Sequence, residues 1–293
     1  MVIGKNSGNA LIKSWQSFLV TQGFLQATEV DGLWGNHTVA ATKSFQTRAN
    51  LNPDGEPGTD TIQKAESLGF SLPSSTFPPA GLLNAVFDIS HSNESVDLQK
   101  ARKSGMLAVF HKATQSLGST LFHDLTYASR RASANAAGLL WGAYHFGSGG
   151  SGKLQAQAFL SYAKPDGKTL LVLDFEPNTT QGETTMQLAE AVDFVNEIFN
   201  ETGKYPGIYS GNLLQEVSTQ PDYAQLNKCW LWKAQYGSTV HIPPGWQTYT
   251  FWQYTDGSVG PLVEEVEGVG KCDRDVFNGN EEALRLFWSA NAV

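Results

Sequence analysis

The segment with the clearest chemical potential is Asp174-Phe175-Glu176, which directly follows the apolar run Leu170-Leu171-Val172-Leu173. Such a run predicts a buried strand, and residues two apart on a strand point to the same side. Asp174 and Glu176 would then share one partly buried site, where their repulsion raises the pKa of one of them. The carboxyl group whose pKa is raised can donate a proton at neutral pH, while the other stays ionised. Glycosidic cleavage needs this division of labour.

A pair of carboxylates also has a simpler interpretation, because such groups often cap a helix or pair with Lys and Arg. For an isolated Asp-x-Glu this interpretation is the more common one. The place of the pair at the end of an apolar strand favours a functional role instead, provided that the strand belongs to a barrel.

The chain from residue 84 onward alternates short apolar strands with amphipathic segments, which favours a barrel of parallel strands and helices. The later connections are short and contain Gly and Pro, so we expect fewer than eight helices. The predicted fold class is α/β, an irregular (β/α) TIM-like barrel with a reduced helix count. The predicted strands span 85–89, 107–112, 141–146, 170–175, 207–209, 230–235, 249–254 and 273–277, and the predicted helices 96–103, 124–137, 154–163 and 184–201.

Polar or aromatic residues terminate nearly every predicted strand, and in a barrel the working residues collect at the carboxyl ends of the strands. Asp88 on strand one and Asp273 on strand eight would add a third and a fourth carboxylate to this mouth, from two strands that are neighbours when a barrel closes. The resulting acidic cleft could also hold a divalent metal. The other candidate substrate-binding residues are Lys112, Tyr144, His145, Tyr209, Trp232, Gln235, Tyr236 and Trp252. Each aromatic residue among them could equally well belong to the core.

The first 70 residues contain a repeat, D-G-x-x-G-x-x-T, at 31–38 and again at 54–61. An aromatic–Gln pair precedes each copy, Trp15-Gln16 and Phe45-Gln46. Glycine supplies positive φ in the turn, and we expect the Thr or Asp to cap the helix that follows. The pattern predicts a small domain at 1–70 with helices at 10–20, 39–49 and 61–68. A Pro- and Ser-rich linker at 71–83 and a catalytic domain at 84–293 would follow.

Composition excludes several classes of partner. A net charge of −8 offers no electrostatic surface for nucleic acid or an anionic membrane. The first ten residues are polar, and no stretch approaches the length of a membrane span, so neither a signal peptide nor a membrane segment is expected. Cys229 and Cys272 match no metal-ligand spacing and the histidines form no HExxH pair, so we expect reduced cysteines, no metal and no cofactor. A monomer is the default expectation.

An ordered set of segments resembles glycoside hydrolase family 25, the Chalaropsis-type lysozymes, over residues 84–288. The set reads FDIS, HKAT, WGAYHF, LVLDFE, GIYS, LWKAQY, FWQYTDG and DRDVFNG. The resemblance implies a metal-independent N-acetylmuramidase that cleaves the β-1,4 bond between N-acetylmuramic acid and N-acetylglucosamine. It further implies Glu176 as the general acid, Asp174 as partner of the substrate acetamido group, and Asp88 and Asp273 as the rest of an acidic floor. Tyr144 and Tyr209 would contact the sugar.

The N-terminal repeat similarly resembles a three-helix peptidoglycan-binding module, which would tether the enzyme to an insoluble polymer. Two segments depart from the resemblance of the barrel. Where the family commonly has KATEG, this chain has Lys112-Ala113-Thr114-Gln115-Ser116, and where it commonly has Asp-x-Asn, this chain has Asp273-Arg274-Asp275. Neither departure touches Asp174 or Glu176, so we expect altered subsite preference rather than lost activity.

Several alternatives stay open at the level of sequence. The cleavage could retain configuration, with the substrate acetamido group as internal nucleophile, or invert it by direct attack of water. An expected lack of a signal peptide fits a phage endolysin that waits in the cytoplasm for a holin to open the way to the wall. An antibacterial effector delivered by a secretion system would look the same in sequence and is the alternative, but the size and simplicity of the chain favour the endolysin. An inactive wall-binding protein and a metal-dependent peptidase or amidase are the remaining rivals.

Overall fold

The computed structural model describes residues 2–5, 7, 9–70, 77–117, 120–179, 182–237, 239–262 and 265–293. Contacts divide the chain into two compact units. One consists of Met1–Phe77 with Gly237–Thr239, and the other of Pro78–Tyr236 with Val240–Val293. Within the predicted linker at 71–83, residues 71–76 lie outside the described residues.

The N-terminal unit is helical, as predicted. Its helices are α1 (Asn9–Thr21), α2 (Asn36–Arg48) and α3 (Thr59–Glu66), with a 3-10 turn at Ala27–Glu29 between the first two. Trp15 is the centre of its core and makes edge-to-face contacts with Phe45 and Phe70, at centroid distances of 5.7 and 5.2 Å. Aromatic packing of this kind supplies much of the apolar burial available to so small a domain.

Gln16 explains the first copy of the repeat. Its amide nitrogen donates to Asp31 Oδ1, to the carbonyl of Leu33 and to Thr38 Oγ1, at 2.8, 3.0 and 3.0 Å. Its amide oxygen accepts the backbone N–H of Gly32, whose φ is +83°. The buried amide of Gln16 is thereby satisfied, and the turn is fixed to α1.

Gln46 repeats the arrangement in the second copy, with Asp54, Thr61 and the backbone of Gly55 and Glu56 in the equivalent places. The predicted role of the Thr residues was therefore wrong. The N-cap positions of α2 and α3 are glycines without a side-chain cap, and the two Thr hydroxyls bind the glutamine amides instead. The motif holds two turns against two helices rather than capping the helices that follow.

Eight strands of the second unit close into a barrel, which confirms the predicted fold class. Around the barrel the order is β1-β2-β4-β5-β6-β7-β8-β9, and β9 pairs back to β1. The remaining strand, β3, pairs with β2 alone as an antiparallel hairpin that the sequence did not predict. The strands are β1 (Leu83–Ile89), β2 (Ala108–Leu117), β3 (Thr120–His123), β4 (Leu140–Phe146), β5 (Thr169–Asp174), β6 (Gly207–Ser210), β7 (Trp230–Ala234), β8 (Phe251–Thr255) and β9 (Asp273–Phe277).

The helices thin out along the barrel, as expected. The early connections contain α4 (Leu98–Lys103), α5 (Tyr127–Ala137), α6 (Gly152–Ala163) and α7 (Leu188–Thr202). The next two, α8 (Leu213–Glu216) and α9 (Tyr223–Leu226), are four residues each, and the described residues between β7 and β9 form no helix. A last helix, α10 (Glu281–Asn291), was not predicted; Asn280 caps it by accepting the N–H of Ala283.

The direction of β9 differs from that of a regular (β/α) barrel. It runs antiparallel to both of its neighbours, β8 and β1, whereas β1, β2, β4, β5, β6, β7 and β8 are parallel along the rest of the barrel. The first residue of β9 therefore lies at the edge where the other strands end. This reversal brings Asp273, which opens its strand, to the same mouth as residues that close theirs.

Alternation along each strand separates the barrel interior from the layer under the helices. One buried cluster fills the interior and includes Val86, Phe110, Val172 and Trp232. The other lies between barrel and helices and includes the intervening residues of the same strands. Gly142 is required on the inner side, because a Cβ there would lie 2.0 Å from Cδ1 of Phe110.

Candidate active site

A cleft of about 210 Å³ opens at the carboxyl ends of the parallel strands, and all four predicted carboxylates line it. Four of the predicted aromatic residues line it as well, together with one residue that we did not predict, Gln253. The lining residues are Asp88, Tyr144, Asp174, Glu176, Tyr209, Trp232, Tyr236, Gln253 and Asp273.

Asp174 and Glu176 face this cleft because alternation continues past the end of β5. Leu173 and Phe175 belong to the buried layer under the helices, so the residues between and after them turn inward. Asp174 is only 6% exposed, and its Oδ1 has no hydrogen-bond partner among the described residues. Glu176 is less buried. The pair thus combines an enclosed carboxyl group with one that a ligand can reach.

Burial dominates the electrostatics of this pair. It raises the pKa of Asp174 well above its usual range, and the charge of Glu176 adds to that effect. Burial also raises the pKa of Glu176, while the ammonium of Lys112 opposes the rise. A carboxyl group with a raised pKa can still hold a proton near neutral pH, which is what a general acid requires.

Asp88 is held at the cleft floor by Gln253. The amide nitrogen of Gln253 donates to Asp88 Oδ2 at 2.8 Å, and its amide oxygen accepts the hydroxyl of Tyr209, also at 2.8 Å. Burial raises the pKa of Asp88 well above its usual range, and the charges of Asp273 and Asp275 raise it further. The glutamine amide therefore links β1, β6 and β8 across the floor.

Asp273 completes the set of carboxyl groups that line the cleft. It lies in register with Asp88 on the neighbouring strand. Burial, with smaller contributions from Asp256 and Glu176, raises the pKa of Asp273 to about 7. At neutral pH this group is therefore divided between its protonated and ionised forms.

The aromatic residues differ in depth. Tyr236 is 44% exposed at the mouth of the cleft, whereas Trp232 is 1% exposed and its indole N–H donates to Asp275 Oδ1 at 2.6 Å. Burial raises the pKa values of Tyr144 and Tyr209 well above their usual range, so both hydroxyl groups stay neutral. A neutral phenol can donate one hydrogen bond and accept others. The hydroxyl of Tyr209 already donates to Gln253, so toward a sugar it is an acceptor.

His145 does not reach the cleft, although its neighbour Tyr144 does. It is fully buried on the helix side of β4, where its ring stacks on Phe194 with the centroids 5.2 Å apart. Its ring nitrogens contact Thr114 Oγ1 and Gln155 Oε1 at 2.8 and 3.0 Å. His145, a candidate substrate-binding residue by sequence, is thus packed between strand and helices instead, because consecutive strand residues face opposite sides.

Trp252 and Gln235 are outside the cleft for the same reason. The indole N–H of Trp252 donates to the carbonyl of Gln235 at 2.7 Å, and the ring is 1% exposed. The side-chain amide of Gln235 contacts the ring nitrogen Nδ1 of His241 and accepts the backbone N–H of His241. Neither side chain is turned toward the carboxyl groups.

Lys112 lies beside the cleft rather than among its lining residues. Its ammonium donates to the side-chain oxygen of Gln115 and sits 4.9 Å from the ring centroid of Phe146. Burial lowers its pKa, and the charges of Asp174, Asp124 and Glu176 oppose that change. It acts on the carboxyl pair through its charge.

Two residues at or below the cleft floor were not among the predicted site residues, Gln253 and Asp275. Both stand on the inner side of their strands, two residues from an interior aromatic, Phe251 and Phe277 respectively. Because side chains alternate between the two faces of a strand, both residues could be assigned to the interior once the inner face of β8 and β9 was known.

Among the described residues, no group of three or more His, Cys, Asp or Glu side chains is arranged to hold a metal ion. Within the same part of the chain, no helix is both long enough and apolar enough to span a bilayer. Cys229 and Cys272 are free and buried.

A barrel whose mouth carries two neighbouring carboxyl groups and neutral phenols has the groups that glycosidic cleavage needs. Comparison with known proteins agrees: the model of the family described as "Glycosyl hydrolases family 25" matches residues 87–261. The chain belongs to glycosyl hydrolase family 25 and is a glycoside hydrolase. A second model, "Putative peptidoglycan binding domain", matches residues 9–64.

Individual relatives support this assignment. Lysozyme M1 of Streptomyces globisporus is 32% identical over 217 residues, which cover 70% of each chain. The muramidase from Trichobolus zukalii is 32% identical with a TM-score of 0.59, over 72% of this chain and 100% of that one. The bacterial lysozyme from Streptomyces coelicolor is 28% identical with a TM-score of 0.61, over 73% of this chain and 100% of that one.

Proposed function

We propose that the enzyme is an N-acetylmuramidase that cleaves the β-1,4 bond between N-acetylmuramic acid and N-acetylglucosamine in peptidoglycan. The observation that carries the proposal is the pair at the end of β5: Glu176 is partly exposed in the cleft beside the enclosed Asp174, and burial raises the pKa of Glu176. Membership of family 25 and the lysozyme and muramidase relatives support the choice of substrate.

Glu176 is the general acid in this proposal. Its proton passes to the glycosidic oxygen as the bond between that oxygen and the anomeric carbon breaks, and the leaving sugar departs as an alcohol. Positive charge then develops on the ring of the other sugar, next to the acidic floor. A water molecule finally supplies the hydroxyl group of the new reducing end, and its remaining proton returns to the carboxylates of the cleft, so that Glu176 is protonated again.

Asp174 is the proposed partner of the substrate acetamido group. Its buried Oδ1 has no hydrogen-bond partner among the described residues. An amide N–H from the sugar would satisfy this oxygen, and a buried acceptor gains most from a donor when it is otherwise unpaired. Asp88 and Asp273 would complete the floor beneath the same sugar.

The cleft aromatics would orient the glycan. Tyr144 and Tyr209 offer neutral hydroxyl groups near Asp88 and Asp174, and the half-exposed ring of Tyr236 offers a surface at the mouth on which a sugar can stack. Trp232 supports Tyr209 from below, with an edge contact at a centroid distance of 4.9 Å.

The N-terminal unit would bind the wall and so raise the local concentration of the enzyme on its insoluble substrate. Its match to a peptidoglycan-binding family supports this role. We also propose that the enzyme acts as a monomer and serves as a phage endolysin that reaches the wall after a holin opens the membrane. A holin gene beside its own gene would support the endolysin role, whereas secretion-system genes there would favour an antibacterial effector.

Clearing of purified peptidoglycan tests the enzymatic proposal. Wild-type protein should clear the suspension equally well with and without EDTA, and Glu176→Gln should bind the wall without clearing it. Loss of activity in EDTA would point to a metal-dependent amidase or peptidase. Binding without clearing by the wild type would show an inactive wall-binding protein.

A further inference from the structure

Asp275 lies below the cleft floor and has no part in the reaction proposed above. It stands on β9 two residues after Asp273, in register with Val86 of β1 and Gln253 of β8. Its side chain is completely buried, with 0% exposure. A carboxyl group in such a place needs partners, because burying a polar group without them is costly.

One oxygen of Asp275 has a partner that leads to the cleft. Oδ1 accepts the indole N–H of Trp232 at 2.6 Å. Trp232 lines the cleft and makes an edge contact with Tyr209, at an interplanar angle of 75°. Tyr209 in turn donates to Gln253, which holds Asp88. A chain of contacts therefore runs from Asp275 to the acidic floor.

The other oxygen, Oδ2, has no hydrogen-bond partner among the described residues. The ionisable groups around Asp275 are Asp88 on β1 and Cys272, Asp273 and Arg274 on its own segment. Burial, the largest effect, raises the pKa of Asp275 well above its usual range, and Asp273 adds to it. The Trp232 hydrogen bond and Arg274 oppose the rise. An unpaired buried charge is far costlier than an unpaired neutral oxygen, which favours the protonated form.

We propose that Asp275 is a positioning residue that works as an uncharged carboxylic acid, whose oxygen holds the indole of Trp232 and thereby fixes Tyr209 at the cleft. Ionisation of Asp275 would put a further negative charge beneath Asp88 and Asp273, where no described cation pairs with Oδ2. The proposal rests on the proposed function only in taking the cleft as the site of hydrolysis.

The protonation state is tested by the stability of Asp275→Asn as a function of pH. Asn has nearly the same shape, keeps an oxygen for the indole N–H and cannot ionise. A raised pKa in the folded state means that wild type loses stability as pH rises from about 4, the ordinary pKa of Asp, towards the folded-state value. The melting temperature of the variant minus that of wild type should therefore increase over this range. A constant difference across the range would overturn the proposal.

The positioning role is tested by kinetics on peptidoglycan fragments. At pH 5, Asp275→Asn should keep kcat and KM near wild type, whereas Asp275→Leu should lower kcat/KM about tenfold, as expected for the loss of one hydrogen bond near the site. Trp232→Phe removes the donor instead of the acceptor and should lower kcat/KM in the same direction, so it serves if Asp275→Leu fails to fold. Equal loss in the Asn and Leu variants, or full activity in Trp232→Phe, would overturn the role. If wild type itself releases no fragments, the proposed function fails, while the stability comparison still decides the charge of Asp275.

Discussion

Asp88 and Asp273 lie directly opposite each other on the antiparallel strands β1 and β9. The first strand of the barrel contributes a residue near its end and the last strand contributes its first residue, so two distant parts of the sequence supply one acidic surface. Burial holds the pKa of Asp88 well above its usual range and raises that of Asp273 to about 7. This pairing depends on the reversal of β9, since a parallel last strand would place Asp273 at the far end of the barrel.

Replacement of Glu176 by Gln should lower kcat by about 10²–10⁴-fold, the usual contribution of a positioned general acid. Binding to the wall should be unchanged, because the N-terminal unit is intact. The rate of release of soluble fragments measures the first effect and a wall pull-down the second. Glu216→Gln, an exposed position on α8, is the matched control and should behave as wild type. A wild-type rate in Glu176→Gln would remove Glu176 from its role.

Lys112 should set the alkaline limit of activity. Activity falls as Glu176 loses its proton, and Lys112 opposes the raised pKa of Glu176. In Lys112→Met, Glu176 keeps its proton to higher pH, so the alkaline limb of the pH profile of kcat should move to higher pH. The maximal rate should fall as well, since the positive charge of Lys112 also favours the ionised form of Asp174 and is absent in the variant. A limb that stays in place or moves to lower pH would contradict this electrostatic role.

Stability should depend on the ionisation of Asp273. Because its pKa in the folded protein is raised to about 7, its contribution to stability is complete below about pH 4 and is lost as pH rises to about 7. Asn at position 273 cannot ionise. The melting temperature of the Asp273→Asn barrel minus that of wild type should therefore increase between these two pH values and stay constant above them. Calorimetry over a pH series measures this difference. A difference that shrinks with rising pH would show that Asp273 is ionised more easily in the fold than outside it.

Gln253 should matter for catalysis although it carries no charge. In Gln253→Leu the hydroxyl of Tyr209 and Oδ2 of Asp88 each lose a partner, and an unsatisfied buried group costs about 1–3 kcal/mol. We expect kcat/KM to fall by about tenfold or more. Gln157→Leu breaks a similar amide–carboxylate hydrogen bond, to Glu197 between α6 and α7, and is the control. Equal effects of the two substitutions would assign Gln253 a purely structural role.

Gln16 should govern wall binding without affecting hydrolysis. Gln16→Leu removes the donor for Asp31, Leu33 and Thr38 at once, so the N-terminal unit should unfold at a lower temperature and the pull-down by walls should weaken. The rate on soluble fragments should be unchanged. Gln63→Leu, at an exposed position of α3, should alter none of these measurements. Unimpaired wall binding by an unfolded N-terminal unit would place the binding surface elsewhere in the chain.

The carboxyl pair could be located from the sequence because the apolar residues before it determine both the strand that it ends and the side to which its side chains point. The same reasoning failed between neighbours such as Tyr144 and His145, where both residue types suit a binding site and only the register of β4 decides which one turns inward. Trp252 and Gln253 present the same difficulty on β8: the larger aromatic attracted attention, and the amide beside it faces the floor.

Strand direction was a further limit of the sequence. Asp273 was expected at the cleft because the last strand closes the barrel, yet its presence there depends on an antiparallel pairing that a local pattern does not encode. The helix α10 was missed for a related reason, since it is held by contacts with distant parts of the chain, such as the hydrogen bond from the Trp288 indole to the carbonyl of Lys168.

Mass spectrometry of the fragments released from purified peptidoglycan tests the central claim most directly. Cleavage by the Glu176–Asp174 pair predicts fragments with N-acetylmuramic acid at the new reducing end, formed by wild type and not by Glu176→Gln. Fragments that end in reducing N-acetylglucosamine or in an anhydro sugar, or the same products from Glu176→Gln, would contradict the account.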